Sequence, residues 1–488
     1  MKRLGWWLLY ILWGGLVAVL ITGILDSPRG GLRVPEELLK RVHLEPESSW
    51  MGIYLNGNKM GYVHSELEPI SSGGYEIREY SRLSGSMMGA SQAMLLRMTV
   101  LTDSALAMVS FEGSLNSDPY MTIFSGRVDK RVLSIKITAG GKTSERFIPA
   151  PEPLYLSQAI KPLLQAGRLG AGDSLKLAGF DPISAEMQEL VVIGAEEGKH
   201  RLWGQDVTAR KLTTRMAGFE STLYVDADGN TLTEFGPMGM VIRREAMEQA
   251  LDLGDERGQA DFLSLYAIKP KGSIEAPRRV KRVRLKLSGV DGLPYLLSDR
   301  QRLIETSSDT CVVEITAEPL RSKAYEQKGP DGYTRDAPFI ESRDPQIIEA
   351  ARLAVRGAVS RLDTLDRLNQ WVFHAVKKQP SAGIPSALAV LRTREGDCNE
   401  HSVLFTALAR SLGIPARIML GVVYQAGSFY YHAWTAAWVD DCWFEFDPTF
   451  GQNRADAARV ALAAGDMTNA IELVGIIGKL DIEIVEAE

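Results

Sequence analysis

The sequence predicts a multidomain chain with an N-terminal transmembrane helix, a β-rich middle domain and a C-terminal α+β domain. Three observations predict it. Residues 4–25 form an uncharged, apolar-rich run. From about 50 to 245, short strand-like segments are separated by turn signals such as Asn56-Gly57. From about 343, apolar residues recur at spacings of three and four, in 347–362 and again in 365–376.

Size and composition set the frame. A chain of 488 residues holds about two to four domains. Its 45% apolar and 24% charged residues are those of a globular protein that can bury a core. A formal net charge of -6 speaks against a nucleic-acid partner, whose phosphates demand basic surface. Cys311, Cys398 and Cys442 are the only cysteines, too few and odd in number for a disulfide framework.

The boundaries follow from composition. Twenty-two helical residues, 4–25, span about 33 Å, enough for a hydrocarbon core of about 30 Å. Lys2 and Arg3 precede the run, and no small-x-small cleavage pattern ends it. It reads as an uncleaved signal anchor, with a cleaved signal peptide as the alternative. The expected localisation is a single-pass membrane protein with its body on the periplasmic or extracytoplasmic side. Residues 26–47 read as a linker, 48–266 as a β-rich domain of unknown role, 267–342 as a linker with a small β segment, and 343–488 as the C-terminal domain.

Within the β region, Asn56-Gly57 joins two short strands, and 128–137 and 221–235 give further strand patterns. Asp226-Ala-Asp-Gly-Asn230 reads as a hairpin turn, because its Gly falls at the fourth position and a calcium loop needs it at the sixth. Gly140-Gly-Lys-Thr143 lacks the earlier Gly of a phosphate loop. Residues 152–166 read as a helix. The basic alternation from Arg278 to Leu287 reads as a solvated edge strand.

The chemistry concentrates in two stretches. In Gly396-Asp-Cys-Asn-Glu400, Asp397 is a helix N-cap and Glu400 completes a capping box. Val403, Leu404, Ala407, Leu408 and Leu412 give that helix an apolar face, and Gly413 with Pro415 ends it. Cys398 thus falls at the first helical position, where the helix dipole is expected to lower a thiol's pKa. Tyr431 to Pro448 reads as a hairpin turning near Asp440-Asp441, which brings His432 opposite Asp447 to within a residue or two. A carboxylate beside a histidine sets its tautomer and supports it as a base. Each residue has a plainer role when taken singly: Cys398 a buried small hydrophobe, His432 a packed strand residue, Asp447 a turn former. Their conjunction supplies a nucleophile, a base and an orienting group.

In this conjunction residues 380–452 resemble the bacterial branch of the transglutaminase-like superfamily. The motifs are Gly396-Asp-Cys398, Gly413-Ile-Pro-Ala-Arg417, His432-Ala-Trp434 and Asp447-Pro-Thr449, in order. The resemblance implies a papain-like fold for the C-terminal domain and catalytic roles for Cys398, His432 and Asp447. It implies a cysteine enzyme acting on amide bonds of a protein or peptide substrate through a thioester, as a peptidase or amidase or as a transglutaminase. Arg392 stands six residues before the cysteine, where papain-like enzymes use Gln as an oxyanion donor. His401 is a possible accessory base or a packing residue. No cofactor is expected. A zinc set of Cys398, His401, His432 and Cys442 is disfavoured because Cys442 lies at the far end of the hairpin. The alternative function is a non-catalytic binding module on the same scaffold.

Overall fold

The computed structural model describes residues 43–87, 90–117, 120–151, 153–165, 172–182, 186–216, 219–254, 266–289, 298–319, 330–337, 339–379, 385–466 and 477–488. The chain divides into two compact units, which among the described residues run to 254 and from 266, apart from residues 87 and 90.

The first unit is built on one antiparallel sheet of fourteen strands. In chain order these are β1 (Glu47–Leu55), β2 (Asn58–Pro69), β3 (Tyr75–Met87), β4 (Ala90–Thr102), β5 (Met108–Ser117), β6 (Tyr120–Asp129), β7 (Val132–Ala139) and β8 (Lys142–Pro149), then helix α1 (Ile160–Gln165), then β9 (Ser174–Asp181), β10 (Glu186–Leu202), β11 (Gln205–Met216), β12 (Phe219–Val225), β13 (Thr231–Phe235) and β14 (Met240–Glu245), followed by α2 (Met247–Leu251). Two meanders, β1 to β8 and β9 to β14, join where β1 pairs with β14. Local chemistry makes the turns. Asn56 and Gly57 both take positive φ, 47° and 82°, as does Gly140-Gly141 between β7 and β8. Asp226 Oδ1 accepts from the backbone N–H of Asp228 and of Asn230, closing the β12–β13 hairpin.

A sheet this wide curls. Phe111 on β5 and Phe180 on β9 meet at a centroid separation of 5.7 Å. The segment before α1 bonds to both β5 and β9. The backbone N–H of Met108 donates to Leu154, and Tyr155 exchanges hydrogen bonds with β9. Leu154, Tyr155, Leu156, Leu163 and Leu164 are buried.

In the second unit a four-stranded sheet takes the order β16-β17-β15-β24, from β15 (Arg282–Ser288), β16 (Gln301–Thr306), β17 (Thr310–Thr316) and β24 (Asp481–Ala487). Helices α3 (Pro345–Ala354) and α4 (Arg361–Ala375) follow, then the two-residue strand β18 (Lys377–Lys378), α5 (Ala387–Thr393), β19 (Glu395–Gly396) and α6 (Cys398–Ser411). A second antiparallel sheet has the order β22-β21-β20-β23, from β20 (Ala416–Gln425), β21 (Ser428–Val439), β22 (Cys442–Phe446) and β23 (Arg459–Gly465). Helix α6 packs on β20 and β21 and is flanked by α3, α4 and α5. It is therefore buried on every side from Cys398 to Arg410, where the sequence pattern shows one apolar face. Arg410 is accommodated by an ion pair with Asp466 at 2.5 Å and a bond to the Ala416 carbonyl at 2.8 Å.

Three expectations are corrected. The fold class is β-dominated: more than half of the described residues lie in strands, most of them in large antiparallel sheets. The predicted transmembrane helix is not part of it. Among the described residues no helix is long and apolar enough to cross a membrane, and residues 4–25 lie outside the described residues. With that helix goes the single-pass localisation it carried. Finally, the basic strand is not an edge. β15 lies between β17 and β24, and its Arg282 and Arg284 pair with Glu314, Glu486 and Glu488. Alternating acids on β24 oppose alternating bases on β15, which is how a row of like charge sits inside a sheet.

Candidate active site

The segment before Cys398 is held from both sides. Lys377 and Lys378 pair in parallel with Glu395 and Gly396. Gly396 takes φ 153°, and a Cβ there would lie 2.2 Å from the Glu400 side chain, so this position of the motif needs glycine. The capping box then forms: Asp397 accepts from Asn399 N–H at 2.9 Å, and Glu400 accepts from Asp397 N–H at 2.9 Å. Cys398 opens α6 and is 1% exposed.

The hairpin supplies the other groups. Asp440 and Asp441 both take positive φ, 49° and 62°, and set the β21–β22 register of Val439 opposite Cys442 and Thr435 opposite Phe446. His432 lies farther along β21, and Asp447 follows β22. His432 Nε2 and Asp447 Oδ2 are 2.8 Å apart, both residues fully buried. Asp447 Oδ1 accepts from the backbone N–H of Thr449 at 2.9 Å and of Phe450 at 3.0 Å. That gives the Asp-Pro-Thr motif its reason: a turn whose two amides aim the carboxylate. The His432 ring stacks near Trp434 and lies 5.1 Å from Phe450. Its Nδ1 is buried without a hydrogen-bond partner. The Cys398 sulfur accepts from the backbone N–H of Ala433, the residue after His432.

Sequence reasoning missed what stands behind Asp447. Arg459, at the start of β23, donates Nη1 to Asp447 Oδ2 at 2.5 Å and Nη2 to Asp456 Oδ2 at 2.8 Å. Arg278 also reaches Asp456 at 2.8 Å. Two buried carboxylates thus face two arginines. Burial alone would raise Asp447, but His432 and Arg459 outweigh it and hold its carboxyl well below the usual carboxylate range. The signal available was Arg459 itself, a lone cation heading the wholly apolar strand Val-Ala-Leu-Ala-Ala464. A second missed residue is Glu445. It accepts from Trp434 Nε1 at 2.7 Å and pairs with buried Arg300 at 2.5 Å, so it orients the indole beside His432.

One expectation changes on these details. Burial pushes the Cys398 thiol well up, and the Asp397 carboxyl adds to it; the Ala433 N–H opposes both and loses. The lowered thiol predicted from the helix start is therefore corrected, because desolvation by burial raises it. His401 Nδ1 lies 2.5 Å from the Asp397 carbonyl of its own helix, and burial lowers its pKa to about 4. Arg392 points to the surface and bonds Gln346 at 3.3 Å, away from Cys398. Cys311, Cys398 and Cys442 are all free thiols. Among the described residues no group of His, Cys, Asp and Glu is placed to hold a metal.

Gly421, opposite His432 on β20, ties the site to Arg459. A Cβ there would lie 1.9 Å from the Val460 carbonyl and 3.0 Å from the Trp434 ring. Gly421→Ala is expected to destabilise the chain by about 1–3 kcal/mol or more, the usual range for overpacking, because backbone must yield. A thermal melt reads this directly. An unchanged midpoint would mean that β20 and β23 are not held this closely.

A thiol at a helix start and a buried histidine–carboxylate pair are the kinds of groups that cysteine-nucleophile sites use. Residues 349–448 match the transglutaminase-like superfamily, and this part of the chain is a transglutaminase-like domain. No curated protein matches the chain. Among solved structures, a candidate cysteine protease from Cytophaga hutchinsonii is 15% identical, with 43% of this chain and 86% of that one covered and a TM-score of 0.29. A β-barrel-like protein from Brucella abortus is 11% identical over 42% of this chain and 96% of that one, with a TM-score of 0.32. A candidate protease from Parabacteroides distasonis is 10% identical over 77% of this chain and 64% of that one, with a TM-score of 0.20.

Proposed function

We propose that the transglutaminase-like domain hydrolyses or transfers amide bonds of a protein or peptide substrate through a thioester on Cys398. One observation supports it above the rest: Asp447 occupies Nε2 of His432 and leaves Nδ1 unpaired, while the Cys398 sulfur is held at the backbone N–H of Ala433, the next residue. With the thiol protonated at rest, activation takes the general-base route. His432 Nδ1 accepts the thiol proton as sulfur bonds to the carbonyl carbon. The oxyanion draws on the Cys398 backbone N–H at the helix start. The leaving amine then takes the proton back from His432, and the thioester remains. Water attacking that thioester releases an acid; an amine attacking it forms a new amide. Hydrolysis is the expected outcome, because water is always present.

The test incubates the intact chain with a defined peptide pool, with and without a biotinylated alkylamine, and reads products by mass spectrometry. New termini or Gln-to-Glu conversions mean hydrolysis, and biotin on peptides means transfer. All must vanish in Cys398→Ala. Products equally abundant in that variant, or none from the wild-type chain, would overturn the reading in favour of a binding module.

A further inference from the structure

We propose that the cavity on the inner face of the fourteen-stranded sheet binds a small aliphatic amine or diamine. The cavity has a volume of ≈ 210 Å³. A single water needs only about 10–15 Å³ of such space, so this is room for a molecule. Alternation along neighbouring strands builds the wall: Met51, Val63, Leu67, Ile77, Leu223 and Ile242 present apolar surface to it. Helix α1 and the turn before it contribute to the lining on the other side.

Ser65, Thr214, Thr231 and other polar side chains share the lining, and two carboxyls without an ion-pair partner stand among them. Glu79 on β3 and Glu234 on β13 approach closely enough to repel each other. Glu79 accepts from Gln158, and Glu234 from Ser221, both neutral donors. Among the described residues no lysine or arginine pairs with either. The charged groups that share the lining are Lys161 and Glu47, and these satisfy each other at 2.7 Å; Arg244 lies outside it, 3.9 Å from Glu47. Both residues are half-buried and line the cavity. Burial pushes Glu79 up to about 7, with Glu234 adding to the rise, and burial also raises Glu234.

A pair of acids with no cation of its own, in a lining whose lysine is already paired with Glu47, selects its ligand. An anion would be repelled, and a neutral apolar molecule would leave the carboxyls with no new partner. An ammonium on an alkyl chain meets both demands: it replaces the carboxyl proton with a charge-assisted hydrogen bond and covers the aliphatic wall.

The experiment is isothermal titration calorimetry of the intact chain with hexylamine, 1,6-diaminohexane, hexanol and hexanoate. At pH 8 the amines should bind, with hexanol and hexanoate at least tenfold weaker by the argument from unpaired charge. Glu79→Gln combined with Glu234→Gln should abolish the preference. In the wild-type chain the affinity should fall roughly tenfold from pH 8 to pH 6, since a carboxyl titrating near 7 is only about one-tenth ionised at pH 6. This last measurement stands even if the double variant does not fold. Equal binding of hexanol, an affinity flat with pH, an unaffected double variant, or no binding of either amine would each overturn the proposal.

Discussion

Asp447→Asn is expected to slow acylation of Cys398 by p-nitrophenyl acetate by about 10⁴-fold, the scale seen when a histidine's orienting carboxylate becomes an amide. The geometry gives the reason. Oδ1 of residue 447 must still accept from Thr449 and Phe450 N–H, so the new amide nitrogen would take the place of Oδ2, facing His432 Nε2 and Arg459. A donor there bonds only an unprotonated Nε2. The imidazole proton moves to Nδ1, and the atom that should accept the thiol proton already holds one. Mass mapping of the acetylated residue separates Cys398 from Cys311 and Cys442. A loss smaller than tenfold would show that His432 does not need this carboxylate as its guide.

Arg459→Met is expected to lower the unfolding free energy by about 3–5 kcal/mol at pH 7, because removing one partner of a buried ion pair strands the others. Asp456 would keep Arg278 and Gln452, whereas Asp447 would keep His432 and two amides. The pH dependence has a definite sign. Asp447 is depressed in the folded state, so its contribution is present above the unfolded carboxyl range near 4 and is lost as pH falls. The variant's deficit should be largest at neutral pH and shrink below about pH 4, where protonated carboxyls no longer require a cation. Urea unfolding at pH 7 and pH 3.5 measures both. A deficit equal at the two values would assign the loss to packing against Trp434 and Phe450, whose rings lie 5.6 and 5.8 Å from the guanidinium carbon.

What the sequence disclosed here is local. The Asp397–Glu400 capping box, the Asn56-Gly57 and Asp440-Asp441 turns and the helix stop at Gly413 each depend on a few neighbouring residues, and each is visible as a short pattern. The environment of the thiol was not visible. A helix start argues for a lowered pKa, but burial by α3, α4, α5 and the sheet comes from elsewhere in the chain and reverses the sign. Arg459 and Glu445 were missed for the same reason: their partners Asp447, Asp456, Trp434 and Arg300 are set by tertiary packing. The basic strand was misplaced at an edge because its acidic partner, β24, lies nearly two hundred positions away.

The pairing of β15 with β24 has a consequence for how the protein is made. Residues 282–288 leave the ribosome long before 481–487, so Val283, Leu285 and Leu287, all buried, cannot gain that side of their sheet until translation has passed residue 487. The fourteen-stranded sheet needs nothing beyond residue 245 for its strands, and it can assemble while the thiol domain is still being synthesised. Biogenesis is therefore ordered, with the β unit first and the domain bearing Cys398 last. A nascent chain halted before residue 481 would carry Cys398, His432 and Asp447 and still lack a strand of the neighbouring sheet, a built-in delay between synthesis of Cys398 and completion of its domain.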